Sequence, residues 1–70
     1  MTPTVSREGD FIAIRQPNGG SYDVPLRQVN TPEEAISWAL HLAGKTWITA
    51  ETLADFLYEA ATARGWEVHP

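Results

Sequence analysis

The sequence contains no cysteine, and that one absence removes a disulfide scaffold, a thiolate zinc site and a cysteine nucleophile together. The fold must therefore hold by its core alone or with a partner chain. Long apolar runs are missing as well. The longest unbroken one, Phe11 to Ile14, is too short for the hydrophobic segment of a signal peptide or for a membrane span. A soluble, cytoplasmic protein without a membrane partner is expected. Positive charge is scarce: five Lys and Arg stand against nine Asp and Glu, and the whole net charge of −4 falls in residues 32–70, residues 1–31 being neutral. So acidic a half does not suit direct binding of nucleic acid or of an anionic membrane surface, both of which need clustered basic side chains. It suits a basic partner. Imidazoles number two, His41 and His69, and neither has a metal-ligating neighbour at the usual helical spacing, so no metal site, cofactor or catalytic constellation is expected.

What is present is enough to fold. With 43% hydrophobic and 20% charged residues the composition lies well away from that of disordered chains, and 70 residues bound it to one domain. A chain this short buries only about 60% of the surface that its unfolded form exposes.

The segment 1–9 shows no periodicity and reads as a flexible N-terminus, leaving 10–70 as a single domain. Two short strand-like runs, Asp10 to Gln16 and Ser21 to Leu26, flank Pro17-Asn18-Gly19-Gly20 and read as a β-hairpin. Alternation favours a three-residue loop, Asn18-Gly19-Gly20, which would pair Ile14 with Val24 and Ile12 with Leu26. Pro25 fits the end of an edge strand, where no ladder hydrogen bond is required of it.

Thr31-Pro32-Glu33-Glu34 carries a capping hydroxyl, proline at the first helical position and glutamate at the third, the pattern of a capping box. At 100° per residue, Ala35, Ile36, Trp38, Ala39, Leu40, Leu42 and Ala43 spread over about 200° of the helix that follows, which predicts more than half of its surface buried. Gly44 is expected to end it in the left-handed conformation. Thr49 caps a second helix over Ala50 to Arg64, with Leu53, Phe56, Leu57, Ala60 and Ala61 on its apolar face, and Gly65 stops it. Trp66 stands where a Schellman motif takes an apolar residue, and Trp66-Glu67-Val68 has the alternation of a short third strand. The expected class is α+β: an N-terminal antiparallel hairpin packed on two helices, ββαα, or ββααβ with that last strand.

Two features rise above the scaffold. Glu51, Asp55 and Glu59, four residues apart, form an acidic stripe on the second helix, a spacing at which like charges cost a helix a few tenths of a kcal/mol per pair. Helix stability alone does not select this pattern; docking on a basic surface would use it. Trp38 and Tyr58, at the edges of their helices' apolar arcs, are candidate interface anchors for a partner or for a homodimer.

Pro17-Asn18-Gly19, Tyr22-Asp23-Val24-Pro25-Leu26, Thr31-Pro32-Glu33 and His41-Leu42-Ala43-Gly44-Lys45-Thr46-Trp47-Ile48-Thr49 occur in that order, and this pattern resembles a group of short proteins encoded by bacteriophages and integrated mobile elements. The resemblance spans roughly Phe11 to Gly65. It implies a bacterial host cell as the setting and a non-catalytic role, such as an anti-CRISPR-like inhibitor that binds a basic host protein or nucleoprotein complex. An alternative is a homo-oligomeric accessory phage protein. Members of that group often carry cysteines near Asn30 and in the second helix; this chain has neither, which puts any redox or metal role in doubt.

Overall fold

Gly9-Asp10 is the kind of pair that closes a tight hairpin, because glycine at the first of two loop residues adopts the positive φ that matches strand twist. In the computed structural model, which describes residues 3–17 and 19–67, Gly9 has φ +61° and joins strand β1 (Thr4–Glu8) to β2 (Phe11–Arg15). Glu8 faces Phe11 and Val5 faces Ile14 in this antiparallel pair. The segment expected to be unstructured thus carries an edge strand. Of its five residues only Val5 is apolar and turned toward the helices, so no alternation marks it in the sequence.

Strand β3 (Ser21–Pro25) lies on the other side of β2, giving a three-stranded antiparallel sheet in the order β1-β2-β3. The element order is strand-strand-strand-helix-helix, not the expected ββαα. The turn between β2 and β3 has the expected three-residue length but starts one residue early. Gln16 N–H donates to the Gly20 carbonyl at 2.7 Å, and Ile14 faces Tyr22 while Ile12 faces Val24. Each partner is displaced by two residues from the expected register, which keeps the same side chains on the core face. Gly19, at φ +99°, provides the left-handed position of the loop. Pro25 ends an edge strand as anticipated, and Leu26 N–H reaches the Asp10 carbonyl at 2.8 Å. Asn18, Val68 and His69 lie outside the described residues. Trp66 and Glu67 belong to no strand, so the third strand of the sheet is N-terminal rather than C-terminal.

A single 3-10 turn (Leu26–Gln28) leads to helix α1 (Pro32–Ala43). Glu34 N–H donates to Thr31 Oγ1 at 3.2 Å, and the Glu34 carboxylate accepts from the Asn30 N–H at 3.0 Å, a capping box reaching one residue further back than the usual one. Gly44 follows in the right-handed conformation, φ −75° and ψ −9°, contrary to the left-handed cap expected. Its N–H still closes on the His41 carbonyl, because the chain turns on directly through Lys45. Helix α2 (Ala50–Arg64) starts on Thr49 and ends on Gly65 at φ +75°. There Trp66 N–H donates to the Ala61 carbonyl at 2.9 Å, the long bond of a Schellman motif.

Both helices lie on one face of the sheet, α2 across β1 and β2 with α1 beside it. Between the layers Ile12, Ile14, Val24, Leu26, Val29, Ala35, Leu42, Phe56 and Ala60 form one core, and Trp38, Trp47 and Trp66 pack at its margin. Of the seven residues expected to cover α1, only Ala35 and Leu42 are buried, while Ile36 and Leu40 are exposed. An arc of about 200° exceeds what one neighbouring helix and one sheet edge can cover.

Candidate functional site

Helix α1 meets its surroundings with two different flanks. On the flank toward β3, Tyr22, Trp38 and His41 gather into a ring cluster. Trp38 stands edge-on to His41 with centroids 5.7 Å apart and edge-on to Tyr22 at 6.3 Å. The Tyr22 hydroxyl and His41 Nε2 share a hydrogen bond at 3.2 Å, and Lys45 Nζ lies 4.6 Å from the centroid of the Tyr22 ring. These residues, with Ser37, line an open cleft of about 400 Å³. The cluster fastens α1 to the edge strand, using edge-to-face and cation–π contacts of the kind that fix orientation between elements. Among the described residues no group of three or more His, Asp and Glu is placed to hold a metal.

Trp38 is therefore half-buried in this cluster and does not meet Tyr58. The two candidate anchors lie on separate surfaces.

On its other flank α1 carries Ile36 and Leu40, one turn apart, exposed to 54% and 71%. Ile36 shares a groove of about 280 Å³ with Leu57 and Trp66, and Leu57 shares a second hollow of about 460 Å³ with Ala54, Asp55 and Tyr58. Tyr58 is 62% exposed and Leu57 36%. An apolar band therefore runs from α1 across the seam onto α2. Glu33 borders it on α1, while Glu51 and Asp55, both exposed, border it on α2. Glu59 departs from the expected stripe: it is half-buried, because three residues on from Phe56 it points only about 60° from the core direction. The stripe is two exposed acids and a third that is half-buried.

Reasoning from sequence placed Ile36 and Leu40 in the core and so missed half of this band. The signal was available in the width of the apolar arc, which was too large for a helix with a single buried stripe. No protein family, curated protein or solved structure matches the chain.

Proposed function

We propose that the protein is a non-catalytic binding module that docks the outer face of its helix pair on a partner protein with an apolar centre and a basic rim. The observation that carries this reading is the band of Ile36, Leu40, Leu57 and Tyr58 left open to solvent in a domain short of buried surface. Apolar side chains of this size are normally spent on the core; four on one face, next to the acids Glu33, Glu51 and Asp55, have the composition of an interface centre with a charged border.

Charge chooses the partner. A second copy would bring the same acids together across a two-fold axis, and the chain already carries a net charge of −4. A basic host protein, or the protein part of a nucleoprotein complex, meets the border with opposite charge, and Glu51 and Asp55 then steer its approach. Trp38, committed to the Tyr22 cluster, supports the face from behind instead of anchoring it.

The test is affinity capture from bacterial lysate with wild type, Leu40→Glu, and the pair Glu51→Lys/Asp55→Lys, together with sedimentation of the purified protein. One basic protein held by wild type, lost with Leu40→Glu and weakened with the charge reversals is the expected result. A dimer in sedimentation that Leu40→Glu dissociates would replace the partner with a second copy.

A further inference from the structure

Three of the five basic side chains of this acidic protein converge on a single cleft that shares no lining residue with the grooves of the helix-pair face. Arg7 from β1, Arg27 from the 3-10 turn and Arg64 from the end of α2 line a cavity of about 240 Å³, with Asp10, Leu26 and Ala63 completing its wall. Arg64 is fixed in place. Its Nε–H donates to the Val29 carbonyl at 2.9 Å and one Nη2–H donates to the Leu26 carbonyl, so its Nη1 edge remains for a ligand. Arg7 and Arg27 are exposed, and among the described residues neither belongs to an ion pair, whereas Arg15 is paired with Glu8.

Like charges do not gather at one place for the sake of the fold. The end of α2 accounts for one of them: cations are favoured near a helix C-terminus, but that end carries only about half a charge, and its Ala61 carbonyl is already met by the Gly65 and Trp66 N–H groups. We infer that this cleft binds the phosphate group of a small phosphate monoester. Three guanidinium groups less the Asp10 carboxylate leave a formal charge of +2 in the cleft, which a monoester of about −1.5 to −2 at neutral pH balances. A carboxylate or a phosphodiester, each with a single charge, leaves the cleft under-neutralised. Guanidinium forks match phosphate oxygens two at a time, and the fixed Arg64 stands beside the exposed Arg7 and Arg27 to complete the grip. Leu26 and Ala63 provide the apolar wall for the ester's organic part, and Asp10 accepts a hydrogen bond from a hydroxyl or amino group on it. The chain's net −4 is this +2 set against −6 elsewhere, so the surrounding field repels anions and affinity rests on the cleft itself.

The experiment is titration of the full, ¹⁵N-labelled chain with phenyl phosphate, dimethyl phosphate and sodium chloride at matched ionic strength, followed by amide and arginine Nε–H resonances. Saturable shifts at Arg64 Nε–H and at the amides of Arg7, Asp10, Arg27 and Ala63 are expected with phenyl phosphate. Arg7→Gln/Arg27→Gln, which leaves the Arg64 hydrogen bonds intact, should raise the dissociation constant about tenfold. Shifts equally large with chloride, or a double variant that binds as tightly as wild type, would overturn the site. Dimethyl phosphate binding as well as phenyl phosphate would overturn the monoester and point to the backbone of a nucleic acid.

Discussion

Arg64, the last residue of α2, donates its Nε–H to the carbonyl of Val29 at 2.9 Å, tying the C-terminal helix to the bend between the sheet and α1. A second N–H of the same guanidinium meets the Leu26 carbonyl. One side chain thus holds two carbonyls of the bend that follows the last strand. Arg64→Ala should destabilise the fold by about 1–3 kcal/mol, the range for hydrogen bonds made by a charged donor. Arg64→Lys should recover only part of that, since an ammonium group lacks the fork. Midpoints of urea unfolding for the two variants check both statements.

Thr52 is the one buried polar side chain among the described residues, and its hydroxyl lies 2.9 Å from that of Thr49, which also accepts the Thr52 N–H at 3.1 Å. Removal of the cap by Thr49→Ala therefore strips a helix N-terminus and a buried hydroxyl together. A loss of about 1–3 kcal/mol is expected, more than the roughly 1 kcal/mol for Thr31→Ala at the start of α1. Thr49→Ala/Thr52→Val should cost less than the sum of the single changes, which a double-mutant cycle in urea measures.

The two glycines that follow the helices should respond differently to a methyl group. At Gly65 there is open space for a Cβ, but φ is +75°, so Gly65→Ala should lose about 1 kcal/mol through backbone strain alone. At Gly44 the backbone is right-handed, and the Cβ would stand 3.4 Å from the His41 carbonyl oxygen. Gly44→Ala should stay within about 0.5 kcal/mol of wild type. Thermal midpoints of the pair decide the matter, and a large loss at Gly44 would contradict the conformation described.

Glu8 and Arg15, at opposite ends of the β1–β2 pair, reach each other with their side chains across the sheet surface, Arg15 Nη2 lying 2.7 Å from a Glu8 carboxylate oxygen. The hydrogen bonds from Arg15 hold the Glu8 carboxyl below its ordinary value, with the attraction of the guanidinium charge and a bond from Ser6 adding to them. A folded-state pKa lowered in this way gives stability that is present above the unfolded value and lost as pH falls through the folded one. The pair should therefore stop contributing at acid pH, below the usual glutamate range. Titration of the Glu8 side-chain carboxyl by NMR should show the depression, and Arg15→Gln should remove most of it, leaving the smaller part due to Ser6; both Glu8 and Arg15 being solvent-exposed, salt should weaken it as well.

The local chemistry of the chain was legible in the sequence where a residue acts on its own backbone. Thr31, Thr49 and Gly65 cap the helices they were expected to cap, and Pro25 ends an edge strand, because these effects operate within a turn of chain. Glycine at 19 even fixed the length of the second hairpin loop, while the register moved because Ile12 and Ile14 keep their core face under a two-residue shift. Strand β1 was not legible: Thr4–Glu8 offers one inward apolar residue, and it is a strand because β2 has an open edge and Gly9-Asp10 turns the chain back onto it.

The candidate sites divide in the same way. Spacing alone put Glu51 and Asp55 on one exposed helical face, but their meaning depends on what lies beside them. Tertiary packing decided that Glu59 is half-buried, that Trp38 faces Tyr22 and His41 instead of Tyr58, and that Ile36 and Leu40 stay in water. It also brought Arg7, Arg27 and Arg64 to one cleft from three elements. A helix can be capped by its neighbours in sequence, but which of its flanks is covered depends on the width of the layer it packs against. Only the assembled sheet and helix pair set that width.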